Sequence, residues 1–127
     1  MSGASDKPYD LEIRTFEFAR EVRTFIKKLP RTISNLEDAK QLVRSSGSVG
    51  ANYIEAHENL GNGDLKLRLR IARKEAKESR YWLMLLDTGA DSGLENDRER
   101  LVQESHELLR ILSAILKNIE AKDRGPM

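Results

Sequence analysis

The sequence has no cysteine, only 3 prolines among its 127 residues, and few aromatic side chains, which make up 6% of it. Without cysteine, the chain cannot form a disulfide framework, a cysteine-ligated metal site or a thiol nucleophile. Long apolar runs are lacking too, since the longest, Trp82–Leu86, is far shorter than the ~20 residues of a membrane-spanning helix. The first residues have no basic region followed by an apolar core. We therefore expect no membrane partner and a cytoplasmic location.

An excess of charge of one sign is also lacking, because 22 basic and 21 acidic residues leave a formal net charge of +1. Only the distribution of charge can then argue for or against a nucleic-acid partner. The length, with 39% apolar and 34% charged residues, is typical of one globular domain. We predict a single domain over residues 1–127, ordered from about residue 8 to about residue 121, with frayed tails at Met1–Lys7 and Lys122–Met127.

Four segments have apolar and small residues at alternating three- and four-residue intervals, the spacing of one buried helix face. The stripes are Leu11, Thr15, Phe18, Val22, Phe25 and Leu29; Leu42, Ser46, Val49, Tyr53, Ala56 and Leu60; Leu65, Leu69, Ala72, Ala76, Ser79, Leu83 and Leu86; and Leu101, Ser105, Leu108, Leu112, Ile115 and Ile119. No segment has the period-two alternation of a strand. With short connections, this pattern predicts an all-α fold, an antiparallel up-and-down four-helix bundle.

Residues between the stripes predict where the helices begin and end. Pro30 would end the first helix, and Ser34 with Glu37 forms a capping-box pattern that would open the second. Asp64 is placed to cap the third helix. The third helix is expected to stop near Gly89–Gly93, and the fourth is expected to run from about Glu95 to Ala121.

Small residues are concentrated in the middle of the second helix, where Gly47 and Gly50 lie within Arg44–Glu55. A glycine inside a helix costs ~1 kcal/mol relative to alanine, so two of them need a compensating gain. Close approach of a neighbouring helix would supply that gain. We therefore expect leucine at either position to overpack and destabilise the fold.

Signatures of catalysis are missing from the chain. A di-iron bundle needs Glu-x-x-His on two helices, but Ile54 and Gln103 stand three residues before His57 and His106. No serine lies in a Gly-x-Ser-x-Gly elbow, and no phosphate-binding loop is present. We predict no metal, no cofactor and no enzymatic activity.

Polar residues at helical spacing on the first three helices form a candidate interior network. Its members are Arg14, Glu17, Arg44, Asn52, Glu55, Lys74, Glu75 and Glu78. Because charges of both signs are balanced there, we interpret it as a network that fixes helix register and partner choice. The alternatives are side chains that face water, and an acid–base site at Glu55, Glu75 and Glu78 with shifted carboxylate pKa values.

Basic residues gather at the start of the third helix and the end of the fourth, which share one pole of an up-and-down bundle. The candidate nucleic-acid-binding residues are Lys66, Arg68, Arg70, Arg73, Lys77 and Lys117. Repeated around a ring of copies, they would neutralise phosphates as non-specific nucleic-acid-binding proteins do. In a single chain, a solvated helix face with ion pairs between neighbouring turns is the better explanation.

A second face of the third helix has apolar ends and a carboxylate centre. It consists of Leu67, Ile71, Glu75, Glu78, Trp82 and Leu85. A helix that is apolar on one stripe and half-apolar on the next favours self-association, and the alternative is a wide core-facing stripe in a monomer.

The stretches Arg14–Ala19, Lys40–Ala56 and Arg73–Leu83, with a looser likeness at Glu104–Leu112, carry a family resemblance. Together they resemble the bacterial four-helix bundles named after proteins encoded in intervening sequences of 23S ribosomal RNA genes. The resemblance implies an up-and-down bundle that assembles as a homopentamer, with no established activity and no catalytic residue. That family is similar to the accessory proteins of diversity-generating retroelements, which form basic pentameric barrels and bind nucleic acid and the reverse transcriptase.

We therefore expect a non-enzymatic homo-oligomer, a pentamer by resemblance, that binds structured RNA or DNA through the basic pole of a ring. The alternative is a protein-binding scaffold with no affinity for nucleic acid, which would use the outer face or the acidic pole of the ring.

Overall fold

The computed structural model describes residues 11–58 and 61–125, which form four helices joined by short connections. Helix α1 spans Leu11–Lys27, α2 spans Ile33–Ala56, α3 spans Asn62–Leu85 and α4 spans Ser92–Arg124. Each helix packs against the next, and α1 also packs against α4, which closes the bundle. The predicted all-α four-helix bundle is confirmed, and no strand occurs within the described ranges. The predicted tail Met1–Lys7 and the stripe residue Leu60 lie outside the described residues.

The predicted stripes form most of the buried core, although Leu65 at the start of α3 is only half-buried. The stripe of α1 is buried from Leu11 to Leu29, and the described stripe of α2 is buried from Leu42 to Ala56. In the last turns of α4 the buried residue is Leu116, whereas the predicted Ile115 and Ile119 are only half-buried. A straight helix drifts by ~20° per heptad from a strict seven-residue pattern, which explains the change of position along a 33-residue helix.

Both predicted helix caps are wrong. Helix α2 begins two residues earlier than the capping box implies, because Thr32 has extended backbone angles and its side chain accepts a hydrogen bond from the amide of Asn35. Ser34 already lies inside the helix. Gly61 precedes the first residue of α3 without a side-chain cap, and Asp64 lies within the first turn, where its charge favours the helix dipole.

Helix α3 ends at Leu85, before the predicted glycines, because Leu86 turns to an extended conformation. The side chain of Asp91 accepts a hydrogen bond from the amide of Leu94 at 2.9 Å and so caps α4. Helix α4 continues beyond the predicted end at Ala121 to Arg124. None of the four helices, over the described ranges, combines the length and apolarity needed to cross a membrane.

Asn35 ties together the two turns at the lower end of the bundle, by which we mean the end with the α1–α2 and α3–α4 connections. Its amide nitrogen donates to the carbonyls of Pro30 and Asp87 at 2.9 and 2.8 Å, and its amide oxygen accepts from the backbone of Asp87 at 2.8 Å. The residue is buried. These hydrogen bonds fix the level of α2 relative to the end of α3.

The expected close approach of helices is present at Gly50. A Cβ atom there would lie 2.8 Å from the hydroxyl oxygen of Thr15 on α1. At Gly47 a Cβ would lie 3.3 Å from Nη2 of Arg23, the flexible end of a long side chain. At Gly50, any side chain would therefore clash with α1, as the sequence predicts. At Gly47, a small side chain requires only a movement of Arg23.

Candidate nucleic-acid interface

Two rows of mainly charged side chains border the groove between α3 and α4. The α3 row, with four- and three-residue steps, is Lys66, Arg70, Arg73, Lys77 and Arg80. The α4 row, read in the opposite direction, is Asp123, Glu120, Lys117, Ser113 and Arg110. Because the helices are antiparallel, rising numbers on α3 meet falling numbers on α4.

The ion pairs at the upper end of this groove, where the α2–α3 connection lies, fix the register. Lys66 Nζ lies 2.6 Å from Asp123 Oδ2, and Arg70 Nη2 lies 3.0 Å from Glu120 Oε2. Hydrogen bonds from Lys66 and Asn62 lower the pKa of Asp123. Lys66 and Arg70 are therefore already neutralised by acids of the same chain.

Farther down the groove, the same register places Arg73 level with Lys117 and Arg80 level with Arg110, with Lys77 between them. Lys77, Arg80 and Lys117 are exposed and Arg73 is half-buried. Among the described residues these four make no ion pair within 4 Å, whereas Arg110 bonds Glu107 of its own helix at 3.4 Å. We call Arg73, Lys77, Arg80 and Lys117 the unpaired basic cluster.

Arg68 does not belong to this groove. Its Nη1 donates to the side-chain oxygen of Asn52 on α2 at 3.2 Å, and its Nε lies 3.8 Å from Asp64. The structure therefore separates Arg68 from the other five predicted nucleic-acid-binding residues and places it between α2 and α3.

The residues of the predicted polar network divide into separate groups. Across α2 and α3, Arg44 reaches Glu75 at 3.3 Å and Glu78 at 3.2 Å, and Lys74 lies 3.8 Å from Glu78. Glu75 is buried, and its Oε1 has no hydrogen-bond partner among the described residues. Asn52 holds Arg68 and bonds Ser48 in its own helix. The polar contacts between α2 and α3 therefore help to set the register of these two helices.

The two residues of the predicted polar network that lie on α1 make contacts outside the α2–α3 contact. Arg14 makes a two-pronged contact with Glu104 of α4, at 2.7 and 3.0 Å. Glu17 bonds Arg20 at 2.5 Å on the exposed surface of its own helix. These contacts lie within α1 or between α1 and α4, and Glu17 is exposed, so the eight residues do not all lie in one interior network.

The three carboxylates of the alternative acid–base site do not converge. Arg44 holds Glu75 and Glu78, whereas Glu55 is exposed and lies about three turns farther along α2. Within residues 11–58 and 61–125, no three His, Cys, Asp or Glu side chains are grouped as metal ligands would be.

The arrangement of helices and the sequence agree with one family of proteins. The model of the 23S rRNA-intervening sequence protein family matches residues 10–114. The chain belongs to this family. The matched region includes Arg73, Lys77 and Arg80 and ends before Lys117.

A solved structure shows the same fold. It is the crystal structure of a protein of unknown function from the S23 ribosomal protein family of Bacteroides thetaiotaomicron, 30% identical in sequence, with a TM-score of 0.73. The similarity covers 87% of this chain and 97% of the other. A search of curated proteins finds no significant match. The comparisons therefore give this protein a family and a fold but no activity.

Sequence reasoning missed Arg80 and Arg110 as parts of the basic groove. The signal was present in the sequence, because Arg80 continues the spacing of Lys66, Arg70, Arg73 and Lys77. The spacing alone does not show which of these cations is unpaired. That requires the register of α3 against α4, which shows which cations have an acid opposite them.

Proposed function

We propose that this protein is a cytoplasmic, non-enzymatic homo-oligomer, a ring of five copies, that binds structured RNA or DNA by its sugar–phosphate backbone. The observation that carries the proposal is the unpaired basic cluster of Arg73, Lys77, Arg80 and Lys117 in the α3–α4 groove. The ring and its number of copies come from the family resemblance of the sequence.

The chemistry of the groove favours phosphate over bases. Arginine presents a planar fork of donors that matches phosphate oxygens, and lysine adds a mobile point charge. Neither row of the groove contains an aromatic side chain on which a base would stack. Binding through such a surface depends on salt and tolerates many sequences.

A ring increases the effect of a small cluster. One copy offers only a few unpaired cations, which bind a phosphate backbone weakly. Copies held at fixed distances bind one nucleic acid together, because the second contact is made at a high effective concentration. This explains how a chain with a net charge of +1 would bind nucleic acid.

The test is a titration of the oligomer, with its mass fixed by light scattering, against a labelled RNA hairpin and a labelled DNA duplex. We compare the wild type with the double variant Arg73→Gln/Lys77→Gln. The matched control is Lys28→Gln/Arg100→Gln, which removes the same two types of charge from ion pairs on the α1–α4 side. We expect about tenfold weaker binding at low salt for the groove variant and little change for the control.

Equal affinities for the wild type and the groove variant would refute the assignment of the binding surface. No binding by an intact wild-type oligomer at low salt would refute the nucleic-acid proposal itself. The second candidate function, a protein-binding scaffold, would then be favoured, since other large apolar side chains, such as Ile13 and Ile33, are 58% and 84% exposed.

A further inference from the structure

The outer surface of α3 carries a second row with the spacing of a helix–helix contact. The row is Leu67, Ile71, Lys74, Glu78, Tyr81 and Leu85, with alternating four- and three-residue steps. Such steps are typical of a seam that packs against another helix. Leu67, Tyr81 and Leu85 are 51%, 59% and 50% exposed, so no part of the described chain covers the two apolar ends of this row.

The groove between α1 and α2 is the second uncovered surface, and it contains two hollows. The upper hollow has a volume of about 430 Å³; its apolar lining includes Phe16, Ala19, Gly47, Ala51 and Ile54, and Glu12, Arg20 and Arg23 also border it. The lower hollow has a volume of about 340 Å³, and its apolar lining is formed by Ile26, Leu29, Pro30, Leu36 and Ala39. Arg23 also lines the upper hollow, on the side nearer the lower one, and its guanidinium donates a hydrogen bond to the carbonyl of Val43.

The two surfaces match in height along the bundle. The Asn52–Arg68 contact places Leu67 and Ile71 level with the upper hollow. The Asn35–Asp87 contact places Leu85 level with the lower hollow.

The charged centres match as well. Arg44 binds Glu78, and its chain neighbour Val43 accepts a hydrogen bond from Arg23. Glu78 and Arg23 are therefore at one level. Each apolar end of the α3 row is thus level with an apolar hollow of the α1–α2 groove. The carboxylate of Glu78, at the centre of the row, is level with the guanidinium of Arg23.

From this match we infer that the outer row of α3 docks into the α1–α2 groove of a second copy of this chain. Leu67 and Ile71 occupy the upper hollow, Tyr81 and Leu85 the lower one, and Glu78 faces Arg23. The inference rests on the proposed ring and names its interface. The contact joins two different surfaces at equal height, so successive copies rotate about an axis along the helices without climbing, and the assembly closes.

The lack of cysteine in the chain allows a direct test by disulfide formation. The double variant Ala51→Cys/Ile71→Cys places a thiol on each matched surface at one level. Under mild oxidation we expect a ladder of covalent species that ends at the mass of the wild-type ring. The control Ala51→Cys/Leu85→Cys, with thiols at different levels, is expected to give no ladder.

A second test uses association alone. Phe16 and Ile13 lie on α1 with similar exposure, 61% and 58%, but only Phe16 lines the upper hollow. We expect Phe16→Glu to reduce the mass in light scattering from the ring to a single chain with unchanged helical circular dichroism. Ile13→Glu is expected to leave the ring intact.

The outcomes separate the two proposals. A wild-type protein that is monomeric at high concentration would overturn the ring and, with it, this interface. A wild-type ring that gives no ladder with the matched thiols, or that survives Phe16→Glu, would overturn the interface and leave the ring in place.

Discussion

Alanine is expected to affect the free energy of unfolding differently at Gly50 and at Gly47. Alanine at Gly50 would bring its Cβ to 2.8 Å from the hydroxyl of Thr15, which is itself bonded to the carbonyl of Leu11 at 2.7 Å. We expect Gly50→Ala to lower the free energy of unfolding by ~1–3 kcal/mol through overpacking. At Gly47 only the end of Arg23 must move, and alanine improves helix propensity by up to ~1 kcal/mol, so Gly47→Ala is expected to be neutral or stabilising.

Urea denaturation of the two variants and the wild type checks this pair. All three are compared at one protein concentration, because the stability of an oligomer depends on concentration. Equal destabilisation by both substitutions would show that α1 packs tightly along the whole glycine stretch, contrary to the described contacts.

Single residues differ in how far the sequence reveals them. Gly50 could be predicted because a glycine in a helix has a known cost that must be offset. Asn35 could not, because its carbonyl partner on Asp87 is 52 positions away and nothing local marks it as buried. The sequence instead suggested a cap at Ser34, one residue away, since capping patterns are local.

The attachment of the last turn of α4 to the first turn of α3 predicts a dependence on pH. Hydrogen bonds from Lys66 and Asn62 lower the pKa of Asp123 below its usual range. A lowered folded-state pKa means that the stabilisation is complete above the unfolded value of about 3.9 and is lost as pH falls through the folded value. We therefore expect the end of α4 to fray in acid below about pH 4, while the core helices persist.

Amide hydrogen exchange of residues 119–124 as a function of pH checks this expectation, after correction for the intrinsic pH dependence of exchange. The variant Asp123→Asn cannot lose a charge and is expected to show a frayed end at every pH. If the wild type kept full protection at low pH, the Lys66–Asp123 contact would not be what holds this turn.

At the scale of helices, the sequence predicts which residues share one face of a helix. It predicts less well which residues of the neighbouring helix lie opposite them. The periodicity of α3 showed which of its residues share a side, and the core stripes followed from the same reasoning. It does not show what lies opposite, so Lys66 and Arg70 share the sequence pattern of the other candidate nucleic-acid-binding residues although Asp123 and Glu120 neutralise them. The order of charges across two helices depends on their register, which tertiary packing decides.

At the scale of the whole molecule, the proposed functions use different sides of the bundle. The ring would use the α1–α2 groove and the outer row of α3, whereas nucleic acid would use the α3–α4 groove. Helix α3 contributes to both surfaces with residues on different faces, such as Ile71 and Arg73, which are two positions apart and therefore about 160° apart around the helix. Association and nucleic-acid binding should therefore respond independently to conditions that act on only one of them.

Salt is such a condition. A surface that neutralises six to ten phosphates loses about 10³–10⁵-fold in affinity between 50 and 200 mM salt, because released counterions no longer favour binding. The proposed ring interface is apolar at both ends and has one charged contact at its centre, so the same increase in salt should leave it assembled.

Sedimentation of the protein with a labelled RNA hairpin measures both properties in one sample. We expect the RNA to dissociate while the protein keeps the mass of the ring. A parallel loss of mass would show that ionic contacts hold the ring, and an affinity unchanged by salt would show that phosphates are not what the α3–α4 groove binds.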